Sequence, residues 1–326
     1  MGIFNIFDEI EQKYRLGITG EAQRLSGGLT HEMYRIETMS GYICIKLLNP
    51  HIMARNDAAE NYRIAEKLEY KLECKKIPII PAKIIGGRKM LEVRGQFFYV
   101  FDYFDGKKLD DEEITPYHAE KIGEILAKIH GIEEKISSVP RRKIKIEFKN
   151  YLTPLEKSAP EVHSLLMENL TLLNGLAEKN NSSIGKIPPR LTICHRDMDT
   201  KNVLWCGGDM RIIDLECLSY DSPSLEMFET AMAWSGLESG HFDSARLRAF
   251  LNGYKKAVGK IGVPGEILYD CSVGRLEWLE YSLQRVLGIG SGENERETGI
   301  SEAIKTIGYL KYYSQMREKI LECFKT

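Results

Sequence analysis

One stretch constrains the fold of this chain more than any other. It is the polar run His195-Arg196-Asp197-Met198-Asp199-Thr200-Lys201-Asn202, set between Leu191-Thr192-Ile193-Cys194 and Val203-Leu204-Trp205. The flanking runs are short and β-prone. Gly207-Gly208-Asp209 then reads as a hairpin turn leading into Arg211-Ile212-Ile213, which ends at Asp214. Asp197 and Asp214 are therefore expected at the ends of neighbouring strands. The run could also be a plain polar turn, because Asp and Asn cap turns by bonding their own backbone. The strands on either side, and a second acid at a strand end, make that the weaker reading.

Chemistry gives the residue types a purpose. The spacing His-x-Asp-x-x-x-x-Asn, followed by an apolar strand ending in Asp, is how kinases place a base beside an acceptor hydroxyl and ligands on a metal. Transfer of a γ-phosphoryl group needs little covalent work from the protein. A carboxylate must orient the hydroxyl, and hard oxygen ligands must hold Mg²⁺ against the phosphates of ATP or GTP. Asp197 suits the first task, and Asn202 with Asp214 the second.

Composition excludes several other classes. The 326 residues are 43% hydrophobic and 28% charged, which is ordinary for a globular protein with one large or two modest cores. A formal net charge of −2 leaves no footprint for nucleic acid. The apolar runs 77–85 and 97–101 are strand-length, well short of the ~20 residues of a membrane helix. The acidic N-terminus, with Asp8, Glu9 and Glu11, does not read as a secretory signal. The seven cysteines show no Cys-x-x-Cys spacing and suit reduced thiols in a cytoplasm. No nucleic-acid, membrane or protein partner is expected.

Residues from about 20 to 105 read as a strand-rich lobe interrupted by one helix. Ser26-Gly27-Gly28-Leu29-Thr30 is a glycine turn, followed by the β-prone Tyr42-Ile43-Cys44-Ile45-Lys46-Leu47. Residues 56–75 carry an apolar stripe at Ile64, Ala65, Leu68 and Leu72 with helical period. Gly95 to Phe104 is again a strand, and helices dominate beyond it. These include 117–132, with Ile122, Ile125, Leu126 and Ile129 on one face, then 223–259 and 265–326.

The order of glycine turn, strand lysine, helical glutamate, connector strand, helix, Asp197 loop and Asp214 resembles the aminoglycoside phosphotransferase and choline kinase superfamily. Its members are protein-kinase-like kinases of small molecules, and the resemblance spans roughly residues 20–235. It implies an α+β, bilobal, protein-kinase-like fold. An N-terminal nucleotide-binding lobe, 1–104, would hold an antiparallel sheet with one helix, and a larger, mainly helical lobe, 105–326, would carry catalysis and the substrate. Ser26-Gly27-Gly28-Leu29-Thr30 looks like the Gly-Gly-x-Thr-Asn turn of choline-kinase-type members, with His31 where Asn is common. Ile129-His130 closes a helix as the family's Leu-His pair does. Asp214-Leu215-Glu216 replaces the Asp-Phe-Gly of protein kinases, and no Ala-Pro-Glu triplet follows, which disfavours a protein substrate.

The resemblance also assigns nucleotide contacts. Lys46 would meet the α- and β-phosphates. Ser26, Gly27, Gly28 and Thr30 would let the backbone approach them. The Asp102 carbonyl and Phe104 amide would bond the adenine edge. Helical phase selects Glu60, in line with Ile64 and Leu68, as the partner of Lys46, whereas the family's spacing favours Glu66; phase is given the greater weight. His195 and Arg196 are expected to support the loop.

The acceptor is expected to be a small molecule bearing a hydroxyl. Glu226, Glu229, Trp234, Glu238, Glu277, Trp278, Glu280 and Tyr281 would suit a cationic amine. An aminoglycoside or a choline-like amino alcohol is therefore favoured, with a sugar or nucleoside as the alternative. Two rivals remain. A metal hydrolase built on His195, Asp197, Asp199 and Asp214 would need further ligands at metal spacing. A catalytically silent kinase fold acting as a scaffold would be marked by loss of Lys46, Asp197, Asn202 or Asp214, and each is present.

Overall fold

The computed structural model describes residues 4–25, 31–132, 136, 143–289 and 295–325. The chain forms two compact units, Met1–Leu109 with His195–Ser219, and Asp110–Cys194 with Tyr220–Thr326.

The first unit is built on a five-stranded sheet of order β1-β2-β3-β5-β4. Its strands are β1 (Gln23–Leu25), β2 (Glu32–Thr38), β3 (Gly41–Leu47), β4 (Leu91–Val93) and β5 (Gln96–Asp102), and neighbours pair antiparallel. The β4–β5 turn places Arg94 and Gly95 at φ 47° and 82°. Two successive positive φ values give the turn whose twist matches that of the strands it joins. Alternation along the strands then sorts side chains to the two faces. Tyr34, Ile36, Ile43, Ile45, Phe98 and Val100 form one core with Phe7 and Ile10 of helix α1 (Phe4–Tyr14). Helix α1 is an addition to the single helix that the sequence pattern indicates for this lobe.

Lys46 pairs with Tyr99 across the ladder, so both share the opposite face. Tyr99 packs there with Leu48, Ala82 and Tyr62. The single turn α2 (Pro50–Met53) is capped by the Asn49 side chain and leads to α3 (Ala58–Cys74). Helix α3 buries Ala65, Leu68 and Leu72 of the expected stripe together with Tyr62, whereas Ile64 is only half-buried.

The expected hairpin is present as β7 (Val203–Cys206) and β8 (Asp209–Ile212), counting β6 (Thr192–Cys194) of the other unit before them. Main-chain bonds fix it within the first unit. Lys107 and Trp205 exchange N–H···O bonds at 2.9 and 2.8 Å, while Ile212 N–H donates to Pro78 O at 2.8 Å and Ile80 N–H to Ile212 O at 2.9 Å.

The second unit is mainly helical. Helices α4 (Pro116–His130), α5 (Leu152–Ser158) and α6 (Pro160–Ser183) precede β6. Helices α7 (Pro223–Trp234), α8 (Ser244–Val258), α9 (Gly265–Cys271), α10 (Gly274–Val286), α11 (Arg296–Gln315) and α12 (Arg317–Phe324) follow β8. The two long helical stretches expected after residue 223 are thus divided. Asp243 starts α8 as an N-cap, its carboxylate accepting from Ala245 N–H and Arg246 N–H, and Pro264 stands directly before α9. A leucine-rich core joins α5, α6, α10 and α11 through Leu155, Leu166, Leu173, Leu276, Leu283 and Leu310.

Helix α4 ends at His130, as expected. Its imidazole is buried, with Nε2 2.7 Å from Glu226 Oε2 and Nδ1 2.8 Å from the Tyr254 hydroxyl. Helices α4 and α8 approach so closely that side chains are excluded at the crossing. A Cβ on Gly123 would stand 2.2 Å from Phe250 O, and one on Gly253 2.1 Å from Glu120 O, both backbone atoms that cannot swing aside. Gly253→Ala should therefore destabilise the protein by about 1–3 kcal/mol through overpacking. That holds even though alanine gains about 1 kcal/mol in helix propensity. Urea unfolding of the variant against wild type reads the difference.

Candidate active site

The polar run folds as a braced loop. His195 is fully buried, accepts Asp197 N–H at Nδ1 (3.3 Å) and therefore donates from Nε2 to Ile213 O (3.2 Å). One imidazole thus ties the Asp197 segment to the residue before Asp214. Asn202, also buried, donates from Nδ2 to the Asp197 carbonyl and to Asp197 Oδ2, each at 2.8 Å. Its own carbonyl accepts Ile213 N–H at 2.9 Å. Asp199 caps the short turn Thr200–Asn202, and Lys201 Nζ lies 3.4 Å from Asp197 Oδ1 and 3.3 Å from Asp199 Oδ2.

Arg196 and Asp214 adopt φ values of 68° and 62°, in the left-handed region that L-residues rarely enter. Such strain costs on the order of 1 kcal/mol or more and persists where the surroundings over-determine it. Here the His195 and Asn202 bonds to Ile213 supply that constraint.

Lys46 reaches this loop from β3. Its side chain is 8% exposed, and its ammonium lies 2.8 Å from Asp214 Oδ1 and forms an ion pair with Glu216. Burial pulls the Lys46 ammonium down, but Glu216 and then Asp214 outweigh it, and the group ends above its usual range. Burial pushes the Asp214 carboxyl up, yet Lys46 overrides it and holds the group below the ordinary value, so Asp214 is a carboxylate. Asp197 is raised, chiefly by burial, with Lys201 opposing.

The structure brings Lys46 to Asp214 and Asn202 to Asp197. Glu60 lies elsewhere, on the exposed face of α3, bonded to Arg63 Nε at 2.8 Å and Nη2 at 2.6 Å. Glu66 accepts the Tyr99 hydroxyl at 2.9 Å. Neither glutamate meets Lys46; Glu216 does, beside Asp214, although in the sequence Glu216 stands out only as a departure from Phe-Gly. Asp102 closes the β3–β5 ladder opposite Ile43, its carboxylate 2.5 Å from Lys83 Nζ. The Phe104 ring faces the Arg211 guanidinium at 5.2 Å. Ser26, Gly27, Gly28 and Thr30 lie outside the described residues.

The donor set suits a hard divalent cation. Asp214 is held charged, and Asn202 spends its amide nitrogen on Asp197, which leaves the amide oxygen as its remaining ligand atom. Among the described residues, the group meeting metal-ligand spacing is His130, Cys194 and Glu226 in the second unit, which shares no member with the set of the rival metal-hydrolase reading. In the second unit several residues suggested for amine recognition are committed. Trp234 is core, Glu226 meets His130, Glu238 pairs with Arg275, and Glu280 accepts the Tyr151 hydroxyl at 3.0 Å.

Comparison with known proteins adds an independent line. Residues 21–259 match the family model described as the phosphotransferase enzyme family. No curated protein matches the chain in sequence. Among solved structures, a spectinomycin phosphotransferase in complex with ADP and spectinomycin is similar, with TM-score 0.75 and 16% identity over 97% of this chain and 99% of that one. A Plasmodium vivax ethanolamine kinase gives TM-score 0.62 and 16% identity over 96% and 90%. A choline/ethanolamine kinase family protein from Mesorhizobium loti gives 0.59 and 18% over 98% and 99%. The fold is thus the α+β, protein-kinase-like one expected from the sequence.

Because Glu60 is exposed and satisfied by Arg63, Glu60→Ala should change Mg·nucleotide affinity by less than about twofold, as expected of a surface ion pair. Isothermal calorimetry with Mg·ADP checks this. A tenfold loss would restore Glu60 to the site.

Proposed function

Because the chain belongs to the phosphotransferase enzyme family, we propose that it transfers the γ-phosphoryl group of ATP or GTP to a hydroxyl of a small molecule in the presence of Mg²⁺. The observation that carries this reading is the Asp214 carboxylate, held charged by buried Lys46 and tied through His195 to the Asp197 loop. Mg²⁺ bound by Asp214 and the Asn202 oxygen would neutralise phosphate charge. Asp197 orients the acceptor hydroxyl and takes its proton as the oxygen attacks in line. Asn202 fixes the Asp197 carboxylate for that task. Lys46 contacts the α- and β-phosphates, with the turn Ser26–Thr30 and the Asp102–Phe104 connector completing the nucleotide site.

In this reading residues 1–104 form the nucleotide-binding lobe and 105–326 carry catalysis and the acceptor, with the segment His195–Ser219, which holds Asp197 and Asp214, belonging to the first compact unit. An amino-bearing acceptor, such as an aminoglycoside or a choline-like amino alcohol, is supported by the spectinomycin and ethanolamine named for the fold relatives. The side-chain commitments of Trp234, Glu226 and Glu238 favour keeping a sugar or nucleoside as the second reading. Among the described residues no helix is long and apolar enough to cross a membrane. None of the seven cysteines, all among the described residues, is in a disulfide, which suits a reducing cytoplasm.

The test is coupled detection of ADP or GDP release across aminoglycosides, choline, ethanolamine and hydroxylated metabolites. Asp197→Ala should lower kcat by roughly 10²–10⁴-fold while nucleotide still binds. Asp214→Ala should abolish Mg-dependent nucleotide binding. Turnover unchanged in either variant would refute the assigned role. A wild-type protein that binds no Mg·nucleotide would point to a silent kinase fold.

A further inference from the structure

A buried lysine destined for phosphate needs an anchor that keeps its ammonium in place when the nucleotide arrives. Helix α3 carries carboxylates beside the Lys46 face of the sheet, yet each is engaged elsewhere. Glu60 is bonded to Arg63. Glu66 accepts the Tyr99 hydroxyl at 2.9 Å and Met90 N–H at 3.1 Å. Glu69 accepts Ala82 N–H at 2.6 Å and pairs with Lys89 at 2.7 Å, and Glu73 pairs with the same ammonium at 2.6 Å. Lys46 instead meets Asp214 and Glu216.

Asp214 is a poor permanent anchor. Its oxygens are the hard donors that the metal requires, and a carboxylate shared with an ammonium is a weaker ligand. Glu216 is not among the metal ligands assigned above, and it is itself held. His31 Nδ1 accepts Asn49 N–H at 2.9 Å, which places the ring proton on Nε2, 3.0 Å from Glu216 Oε2. The Tyr62 hydroxyl of α3 lies 3.3 Å from the same nitrogen. The His31 and Lys46 side chains are 7% and 8% exposed, so these bonds are little weakened by water. Glu216 sits on the 3-10 turn Leu215–Cys217, directly after Asp214 and packed against α3.

We propose that Glu216, braced by His31, is the positioning residue that holds Lys46 for the nucleotide phosphates and so frees Asp214 for the metal. The inference rests on the kinase reading above. It puts the lysine's anchor and the metal's ligand on one turn, so the two phosphate-binding charges keep a fixed spacing without any carboxylate from α3.

The test is a double-mutant cycle on Mg·ADP affinity by calorimetry, which needs no identified acceptor. Glu216→Gln and Lys46→Met should each weaken binding about tenfold, and the double variant should be no more than about threefold weaker than the worse single, because the two residues act as a unit. If wild type binds no Mg·ADP, the kinase reading falls and this inference with it. If wild type binds and Glu216→Gln binds equally well, the inference alone is overturned. Losses that multiply in the double variant also overturn it, by showing that Glu216 serves the metal or nucleotide independently of Lys46. Should Glu216→Gln fail to fold, His31→Gln carries the same comparison. A loss present with Lys46 and absent in the Lys46→Met background supports the proposal, and equal losses in both backgrounds overturn it.

Discussion

The ammonium of Lys46 is buried, and the organisation of the site follows from that single charge. Removing a cation from water is costly, and breaking a buried ion pair by deleting one partner typically costs about 3–5 kcal/mol. Lys46 is stable at this position because Asp214 and Glu216 both converge on it. The dependence is mutual, since Lys46 keeps Asp214 ionised against its own burial. A sheet residue and a loop residue far apart in sequence thereby fix each other's protonation state.

Strain and hydrogen bonding act together in the loop. Asp214 and Arg196 occupy left-handed conformations, and the bonds that enforce them run through Ile213, from His195 on one side and Asn202 on the other. Both bracing residues are buried, so their geometry is insulated from competing water. Charges and dipoles fixed before a substrate arrives need no reorganisation during reaction, the property on which electrostatic catalysis of phosphoryl transfer depends. The second unit is held differently, through the side-chain-free crossing of α4 and α8 and the buried His130, Glu226 and Tyr254 network.

Much of this was legible in the residues. The hairpin at Gly207-Gly208 and most of the α3 stripe follow from local pattern, and the end of α4 at His130 is what the family resemblance implies. The missed features share a cause. Helix α1 is short and lies outside the strand and glycine pattern that organised the reading of the N-terminal lobe. The break between α7 and α8 rests on an Asp243 cap, a single-residue signal inside a generally helical composition. Glu60 was chosen over Glu66 by helical phase, but phase reports only which way a side chain leaves its helix. It does not report whether a nearer partner exists, and Arg63 is that partner.

The sequence by itself determined what is encoded over a few residues: the β-prone runs, the α3 stripe and the spacing of Asp197, Asn202 and Asp214, and the resemblance these carry implied the class of fold. Each depends on a backbone period or a short loop whose reach is set covalently. Only the tertiary structure decided which carboxylates meet Lys46, which of the helical acids are already neutralised, and where aromatic side chains such as Trp234 are core. Those outcomes depend on burial and on competition among partners distant in the chain, and a buried charge takes whichever partner the packing brings within reach.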